Sequence, residues 1–203
     1  MSQNRTDLLA TIIPEIDVIN LEHPVDLQAL FPGLPTVVDF GAGMGHHTVN
    51  LARDGYGVLA IDVHTPGICA IAQEVLDQEL NNIRVHLGDG WALLTDVIAP
   101  GTVDELHVLF PDPWPKARHH KRRLIQSDFL TVALQVLTPV GTITVVTDDD
   151  SYADHVSSVV HNDERVAFVE PQREFAPTKY HERGLRLGHS IHRFTIGRLR
   201  QVN

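Results

Sequence analysis

The sequence predicts an α/β protein built on a mainly parallel β-sheet. From residue 36 onward, short apolar segments typical of strands alternate with amphipathic segments typical of helices. Glycine and proline separate many of these segments, and several predicted strands end at an aspartate. A strand–helix–strand alternation implies right-handed crossovers between strands that run in the same direction.

Seven strands and five helices are predicted in chain order. The strands span residues 36–40, 57–61, 83–87, 105–109, 142–146, 166–169 and 191–196. The helices span about 46–53, 66–80, a short segment ending at 98, 124–137 and 152–160. The fourth helix is the most regular, because its apolar residues recur three and four positions apart.

The first 34 residues carry weaker signals than the rest of the chain. They contain no long periodic segment and are interrupted by Pro14, Pro24 and Pro32. We expect residues 1–34 to form a loosely packed leader with one short helix. Residues 35–203 then form a single domain, since the chain length lies within the range of one domain.

Composition restricts the kinds of site that the chain can build. Its single cysteine, Cys69, excludes an internal disulfide framework and a thiolate zinc site. The 13 histidines show no metal-binding spacing, so we expect no metal. No secretory signal and no membrane-spanning apolar run are visible. We therefore expect a cytoplasmic protein without a membrane partner, and both a monomer and a homodimer remain open.

Charge is distributed unevenly along the chain. The net charge of -10, from 16 basic and 26 acidic residues, argues against a general nucleic-acid binder. Residues 112–123 nevertheless hold five cations against one acid. These cations are Lys116, Arg118, Lys121, Arg122 and Arg123. A polyanion would dock at this basic strip with strongly salt-dependent binding, although a solvated charge run is the simpler interpretation.

The segment before the basic strip combines an acid with an indole. Three prolines in residues 111–115 exclude both a helix interior and a central strand. Asp112 and Trp114 lie between these prolines. The acid, the indole and the cations of the basic strip all follow a buried strand. Such a combination suits the binding of a nucleobase on a phosphate backbone. Trp114 either stacks on a base or packs beneath the loop, and the sequence favours neither.

Each of the first five predicted strands ends at or next to an aspartate. The five are Asp39, Asp62, Asp89, Asp112 and Asp148. Because parallel sheets bind ligands beyond the carboxyl ends of their strands, we expect these carboxylates at one binding edge. Helix capping would account for one or two of them.

A glycine-rich turn follows the first predicted strand. Gly41, Gly43 and Gly45 allow a ligand to approach the backbone closely, although they do not form the full dinucleotide fingerprint. Asp62 lies about 20 residues beyond the turn, where an acid binds ribose hydroxyls. No Lys-Ser/Thr pair follows the glycines, so a phosphate-cradling loop is absent. This combination favours S-adenosylmethionine, with Asp89 near the adenine and Asp39 near the cationic methionine end.

Several segments together resemble a known family. Residues 110–124, FPDPWPKARHHKRRL, resemble the signature of the tRNA (guanine-N7)-methyltransferases, which act on the variable-loop guanosine at position 46. Residues 37–45, 61–67, 147–155 and 178–189 resemble further segments of that family. The resemblance covers about residues 36–198. It implies the class I S-adenosylmethionine-dependent methyltransferase (Rossmann-like) fold, with seven strands, an antiparallel last strand and helices on both faces.

The resemblance also implies roles for individual residues. Asp39, Asp62 and Asp89 would contact S-adenosylmethionine, and Asp112 would be the catalytic residue between cofactor and guanine. Lys116 and Asp148 would contact the tRNA substrate, and the basic strip would bind its phosphates. Thr178 and the four residues after it would close over the guanosine. These four are Lys179, Tyr180, His181 and Glu182.

Four positions depart from the family pattern. Asp39 and Asp62 stand where the family usually has glutamate, Asp149 stands where tryptophan is common, and His181 stands where glutamate is usual. Two alternatives to a tRNA methyltransferase therefore stay open. One is an enzyme of the same fold that methylates a small molecule or another RNA. The other is a non-catalytic tRNA-binding paralogue.

Overall fold

The computed structural model describes residues 7, 10–171 and 178–199. Its centre is one sheet formed by the strands β1 (Thr36–Phe40), β2 (Gly57–Asp62), β3 (Ile83–Leu87), β4 (Val103–Leu109), β5 (Leu137–Thr147), β6 (Val166–Phe168) and β7 (His192–Arg198). The strand order is β3-β2-β1-β4-β5-β7-β6, and β7 runs antiparallel to both of its neighbours. This topology confirms the predicted mainly parallel sheet with an antiparallel last strand.

Helices cover both faces of the sheet, as predicted. They are α1 (Ile13–Ile16), α2 (Leu27–Leu30), α3 (His46–Arg53), α4 (Thr65–Asp77), α5 (Gly90–Asp96), α6 (Ser127–Val136), α7 (Asp150–His161) and α8 (Lys179–Arg186). Two short 3-10 turns span Val18–Asn20 and Ala117–Arg122. Because strand residues alternate between faces, Val37 and Val38 enter different apolar clusters, one with α3 and α4 and the other with α5, α6 and α7.

Two elements differ from the sequence prediction. Strand β5 begins at Leu137, although Pro139 and Gly141 were expected to delay it. The proline is accommodated where the β4–β5 register shifts between Val103 and Glu105, because a bulge tolerates a residue without an amide hydrogen. No helix was predicted over the residues of α8. Thr178 caps this helix, since its side chain accepts a hydrogen bond from the amide of His181.

The expectation of a loosely packed leader is wrong for its described part. Val18 and Leu27 are fully buried, and Phe31 is nearly so. Single bridges join Asp17 to Val85 and Val25 to residue 98. Val18, Leu27 and Phe31 belong to one core cluster, and their irregular spacing along the chain explains why no periodic pattern revealed them.

Asp17 links the leader to β3 through hydrogen bonds. Its carboxylate accepts hydrogen bonds from the amides of Ile19 (3.0 Å) and Leu87 (3.3 Å) and lies 3.1 Å from Nδ1 of His86. Burial alone would raise the pKa of Asp17, but the hydrogen bonds, first of all that of His86, outweigh it and lower the pKa. The native state therefore favours the ionised carboxylate.

We expect Asp17→Asn to lower the free energy of unfolding by about 1–3 kcal/mol at pH 7. A carboxyl whose pKa is lower in the folded state stabilises above its unfolded pKa of about 3.9, and this contribution is lost as the pH falls through the folded value. Urea unfolding at pH 7 and at about pH 3 should therefore show a smaller difference between the two proteins in acid. The exposed Asp77→Asn is the control. An equal loss at both pH values would contradict this account.

No helix in the described ranges is long and apolar enough to cross a membrane. Among the same residues, no group of histidine, cysteine, aspartate and glutamate side chains is arranged to hold a metal ion.

Candidate functional site

Two adjoining cavities open at the carboxyl ends of β1 and β4. The α3–α8 cavity has a volume of about 300 Å³, and its lining includes Asp39, Gly43, His47, Tyr180 and Arg183. The Asp112 cavity has a volume of about 390 Å³, and its lining includes Asp62, Asp112, Trp114 and Arg122. Both cavities share Gly41, Leu109 and Phe110. The predicted binding edge therefore brings together three of the five strand-end aspartates.

The glycine turn lies where the two cavities adjoin, and Gly41 lines both of them. Gly43 and Gly45 have φ values of 57° and 78°, in the left-handed region that favours glycine. A Cβ atom on Gly67 would lie 1.8 Å from the carbonyl oxygen of Gly43, so α4 packs directly against the turn. Gly41 and Gly43 line the cavities, so the backbone of the turn is open to a ligand at these two residues.

Asp62 is held at the end of β2 by two backbone amides. One carboxylate oxygen accepts a hydrogen bond from Gly43 and the other from His64, each at 2.7 Å. The shorter side chain, which departs from the family's glutamate, thus bonds the glycine turn directly. The same carboxylate lines the Asp112 cavity, and its remaining lone pairs suit ribose hydroxyls.

Asp39 is a buried acid in the wall of the α3–α8 cavity. It is 1% exposed, and the hydroxyl of Thr48 donates a 2.6 Å hydrogen bond to it. A buried carboxylate is costly unless it is paired. A cationic ligand group in this cavity would therefore match the chemistry of its wall.

Asp89 occupies a different place. It caps α5, accepting a 2.9 Å hydrogen bond from the amide of Trp91. It lines a third cavity of about 340 Å³ together with His86 and Asp96. The linings of the two shared cavities do not include it, so its contact with adenine stays a prediction.

Asp112 projects from a strained turn. Phe110 and Trp114, on either side of it, have φ values of 53° and 46°, a conformation that costs a non-glycine residue about 1 kcal/mol. The ring of Trp114 lies 5.0 Å from the guanidinium of Arg122 and meets His119 edge-on at 5.9 Å. Trp114 therefore packs against the turn that follows it, while Asp112 stays exposed at the cavity.

The cations of the basic strip separate into two kinds. Lys116, Arg118, Lys121 and Arg122 are exposed, as expected for phosphate contacts. Arg123 departs from that expectation, because it is only 3% exposed. A side chain buried in this way is not available to a phosphate.

Arg123 instead joins the Asp112 segment to α7. Its guanidinium donates 2.9 Å hydrogen bonds to the carbonyl oxygens of Pro113 and Ser151 and to the Ser151 hydroxyl. It also lies 5.5 Å from the ring centre of Tyr152. Burial raises the pKa of Tyr152 to about 12, so this hydroxyl stays protonated beside the cation.

The opposite wall comes from α8. The ring of Tyr180 stacks on Phe110 at 5.9 Å, and Arg183 and Arg186 line the α3–α8 cavity. These two arginines lie three residues apart on α8, and the sequence predicted no role for them. His181 and Glu182 are not part of either cavity lining.

The end of β5 supports α8. The carboxylate of Asp148 lies 3.0 Å from Nδ1 of His189, and its Cβ atom lies 3.2 Å from the position a Cβ atom would take on Gly184. Asp149 caps α7 by accepting a 2.7 Å hydrogen bond from the amide of Tyr152. The aspartate that stands here in place of the tryptophan common in the family therefore provides a helix cap.

Comparison with known proteins places most of the chain in one family. Residues 34–194 match a family model described as that of a methyltransferase. A relative from Nitrosomonas europaea, named tRNA (guanine-N(7)-)-methyltransferase, is 37% identical over 191 residues, covering 89% of this chain and 84% of the relative. A relative of the same name from Nitrosospira multiformis is 39% identical over 189 residues, covering 89% and 82%.

Solved structures show the same fold at low sequence identity. The aminoglycoside resistance methyltransferase NpmB1 has a TM-score of 0.60 at 16% identity, covering 85% of this chain and 92% of that one. A SAM-dependent O-methyltransferase from Thermotoga maritima has a TM-score of 0.54 at 12% identity, covering 100% and 74%. These likenesses support the class I methyltransferase architecture.

Proposed function

This chain belongs to the tRNA (guanine-N7)-methyltransferase family, and from that premise we propose that it methylates N7 of the guanosine at position 46 of tRNA. One observation carries the proposal. Asp62, predicted to bind the cofactor, and Asp112, predicted to act on guanine, line the same cavity. A methyl donor and an acceptor base can therefore meet there.

The chain's residues fit S-adenosylmethionine as the methyl donor. Asp62 would bind the ribose, the glycine turn would lie against the ligand, and Asp39 would face its cationic end. The ligand supplies a methyl group on a sulfonium sulfur. We assign Asp89 to the adenine on the family resemblance alone.

Guanine N7 already carries an exposed lone pair, so the chain needs no general base. Its task is to hold the two reactants in line. Transfer of the ligand's methyl group to N7 would leave a neutral thioether and a positively charged base. Asp112 would orient the guanine and stabilise that developing charge.

We propose that α8 closes over the guanosine. Tyr180 is 60% exposed and already lies flat against Phe110, so its ring offers a face to a base. Thr178 sets the start of this helix. The residues from Lys179 to Glu182 and Asp148 are assigned to the substrate on the family resemblance.

The exposed part of the basic strip would bind tRNA phosphates. We expect the combined change of Lys116, Arg118 and Lys121 to alanine to weaken tRNA binding and to reduce the slope of log K against log salt by about 2. Filter binding across a salt series measures both quantities. Arg53→Ala, an exposed change at the end of α3, is the control. An unchanged slope in the triple variant would show that the strip is only a solvated surface.

The decisive test is methyl transfer to tRNA that lacks the modification. Product nucleosides are separated after reaction with labelled S-adenosylmethionine, and the modified position is mapped. Label at N7 of guanosine 46 is the expected result. Cofactor binding without tRNA methylation would favour a small molecule or another RNA as the substrate, and absence of cofactor binding would favour a non-catalytic paralogue.

A further inference from the structure

Two arginines of α8 make one part of the α3–α8 cavity wall basic. Tyr180, Arg183 and Arg186 follow one another at intervals of three residues, so they lie on the same side of the helix. All three line the cavity. The proposed chemistry uses the ring of Tyr180 for the base and gives neither arginine a role.

Both guanidinium groups are available to a ligand. Arg183 and Arg186 are exposed, and within the ranges that the structure describes neither forms a salt bridge with an aspartate or a glutamate. Both lie in the last turn of α8, where a cation also interacts favourably with the helix dipole. The dipole explains basic residues at this end of the helix, but it does not explain why they line a cavity.

The same cavity wall contains a buried acid. Asp39 is 1% exposed, and the hydroxyl of Thr48 donates a hydrogen bond to one of its carboxyl oxygens. The wall therefore combines an acid on β1 with two guanidinium groups on α8. A ligand with both an ammonium group and a carboxylate, as in a free amino acid, matches this combination. A phosphate group would be bound by the arginines but would meet the acid as well, so the wall suits it less.

We propose that Arg183 and Arg186 bind the carboxylate of the methionine part of S-adenosylmethionine and so position the cofactor in the α3–α8 cavity. This inference rests on the proposed use of that cofactor. A guanidinium group presents parallel N–H donors that match the two oxygens of a carboxylate. Asp39 is left for the cationic groups of the same ligand, so the acid and the two arginines together recognise an intact methionine part.

The test is calorimetric binding of three ligands to the full chain near neutral pH, without tRNA. The ligands are S-adenosylmethionine, its decarboxylated form S-adenosylmethioninamine, and 5′-methylthioadenosine, which lacks the whole amino acid part. The variant combines Arg183→Met with Arg186→Met, because methionine keeps much of the aliphatic length of arginine but has no N–H donors. Its Kd for S-adenosylmethionine should rise about tenfold, the lower end of what hydrogen bonds to charged groups contribute, because both arginines are exposed. Its Kd values for the other two ligands should not change, since neither ligand has a carboxylate.

Arg53→Met is the control for the loss of a positive charge. Arg53 is an exposed arginine at the end of α3, and it is not part of the cavity lining. This variant should bind all three ligands as the unaltered protein does. Weaker binding of S-adenosylmethionine by Arg53→Met, to the same extent as by the double variant, would mean that the effect comes from overall charge, and it would overturn the inference.

The remaining outcomes separate the inference from its alternatives. An unchanged Kd for S-adenosylmethionine in the double variant would overturn it, and a simultaneous loss of tRNA affinity in filter binding would assign the arginines to tRNA phosphates. Equal weakening of all three ligands would indicate that the arginines only stabilise α8, and would overturn it too. In either case, binding of S-adenosylmethionine by the unaltered protein leaves the proposed function standing. If the unaltered protein did not bind S-adenosylmethionine, both proposals would fail.

Discussion

Replacing Asp112 with alanine is expected to lower kcat/KM for tRNA methylation by about 10²–10³-fold, the usual loss for one group that stabilises transition-state charge. Asp112 is exposed at the cavity, so the change removes no core contact. The midpoint of thermal unfolding should stay nearly the same. Methyl transfer to unmodified tRNA and differential scanning calorimetry measure the two effects.

Asp112→Asn refines this test, because it keeps the shape and the hydrogen-bonding oxygen but removes the charge. An intermediate rate would assign part of the effect to orientation and part to charge. Asp154→Ala, an exposed acid on α7, controls for the loss of a surface carboxylate. If the Asp112→Ala protein methylated tRNA as fast as the unaltered protein, Asp112 would not be the catalytic residue.

Arg123→Ala is expected to lower the free energy of unfolding by about 2–4 kcal/mol. The change leaves the carbonyl oxygens of Pro113 and Ser151 without the donors they have in the native protein. Hydrogen bonds to a charged group contribute about 1.5–3 kcal/mol, and unsatisfied buried partners add a penalty. Urea unfolding measures this loss. Methyl transfer should also fall, because Arg123 holds the segment that carries Asp112.

Lys121→Ala is the matched control, since it removes an exposed cation from the same turn. Its effect on stability should stay within about 0.5 kcal/mol, while its tRNA affinity falls. If Arg123→Ala kept full stability and lost only tRNA affinity, Arg123 would belong to the phosphate-binding strip as first expected.

The sequence alone determined the features that depend on neighbours along the chain. The bounds predicted for β1, β3 and α3 are those of the structure, because apolar periodicity and flanking glycines are local signals. The sequence also predicted that the glycine turn would share one edge of the sheet with Asp39, Asp62 and Asp112, which line the two adjoining cavities, whereas Asp89 lines a different one. Once a parallel sheet is inferred, its topology brings the carboxyl ends of neighbouring strands together.

Tertiary structure decided what depends on residues far apart in the sequence. In the sequence, Arg123 cannot be told from the other cations of the basic strip. In the structure, Ser151, 28 residues later, accepts its hydrogen bonds. The leader has no periodic apolar pattern from which packing could be predicted. In the structure, Val18 and Leu27 belong to a core cluster formed mostly by later residues of the chain. His47 and His107 are 60 residues apart, and their ring nitrogens meet only in the folded chain. Burial and hydrogen bonding assigned these residues their roles, and both are properties of the packed chain that local spacing does not encode.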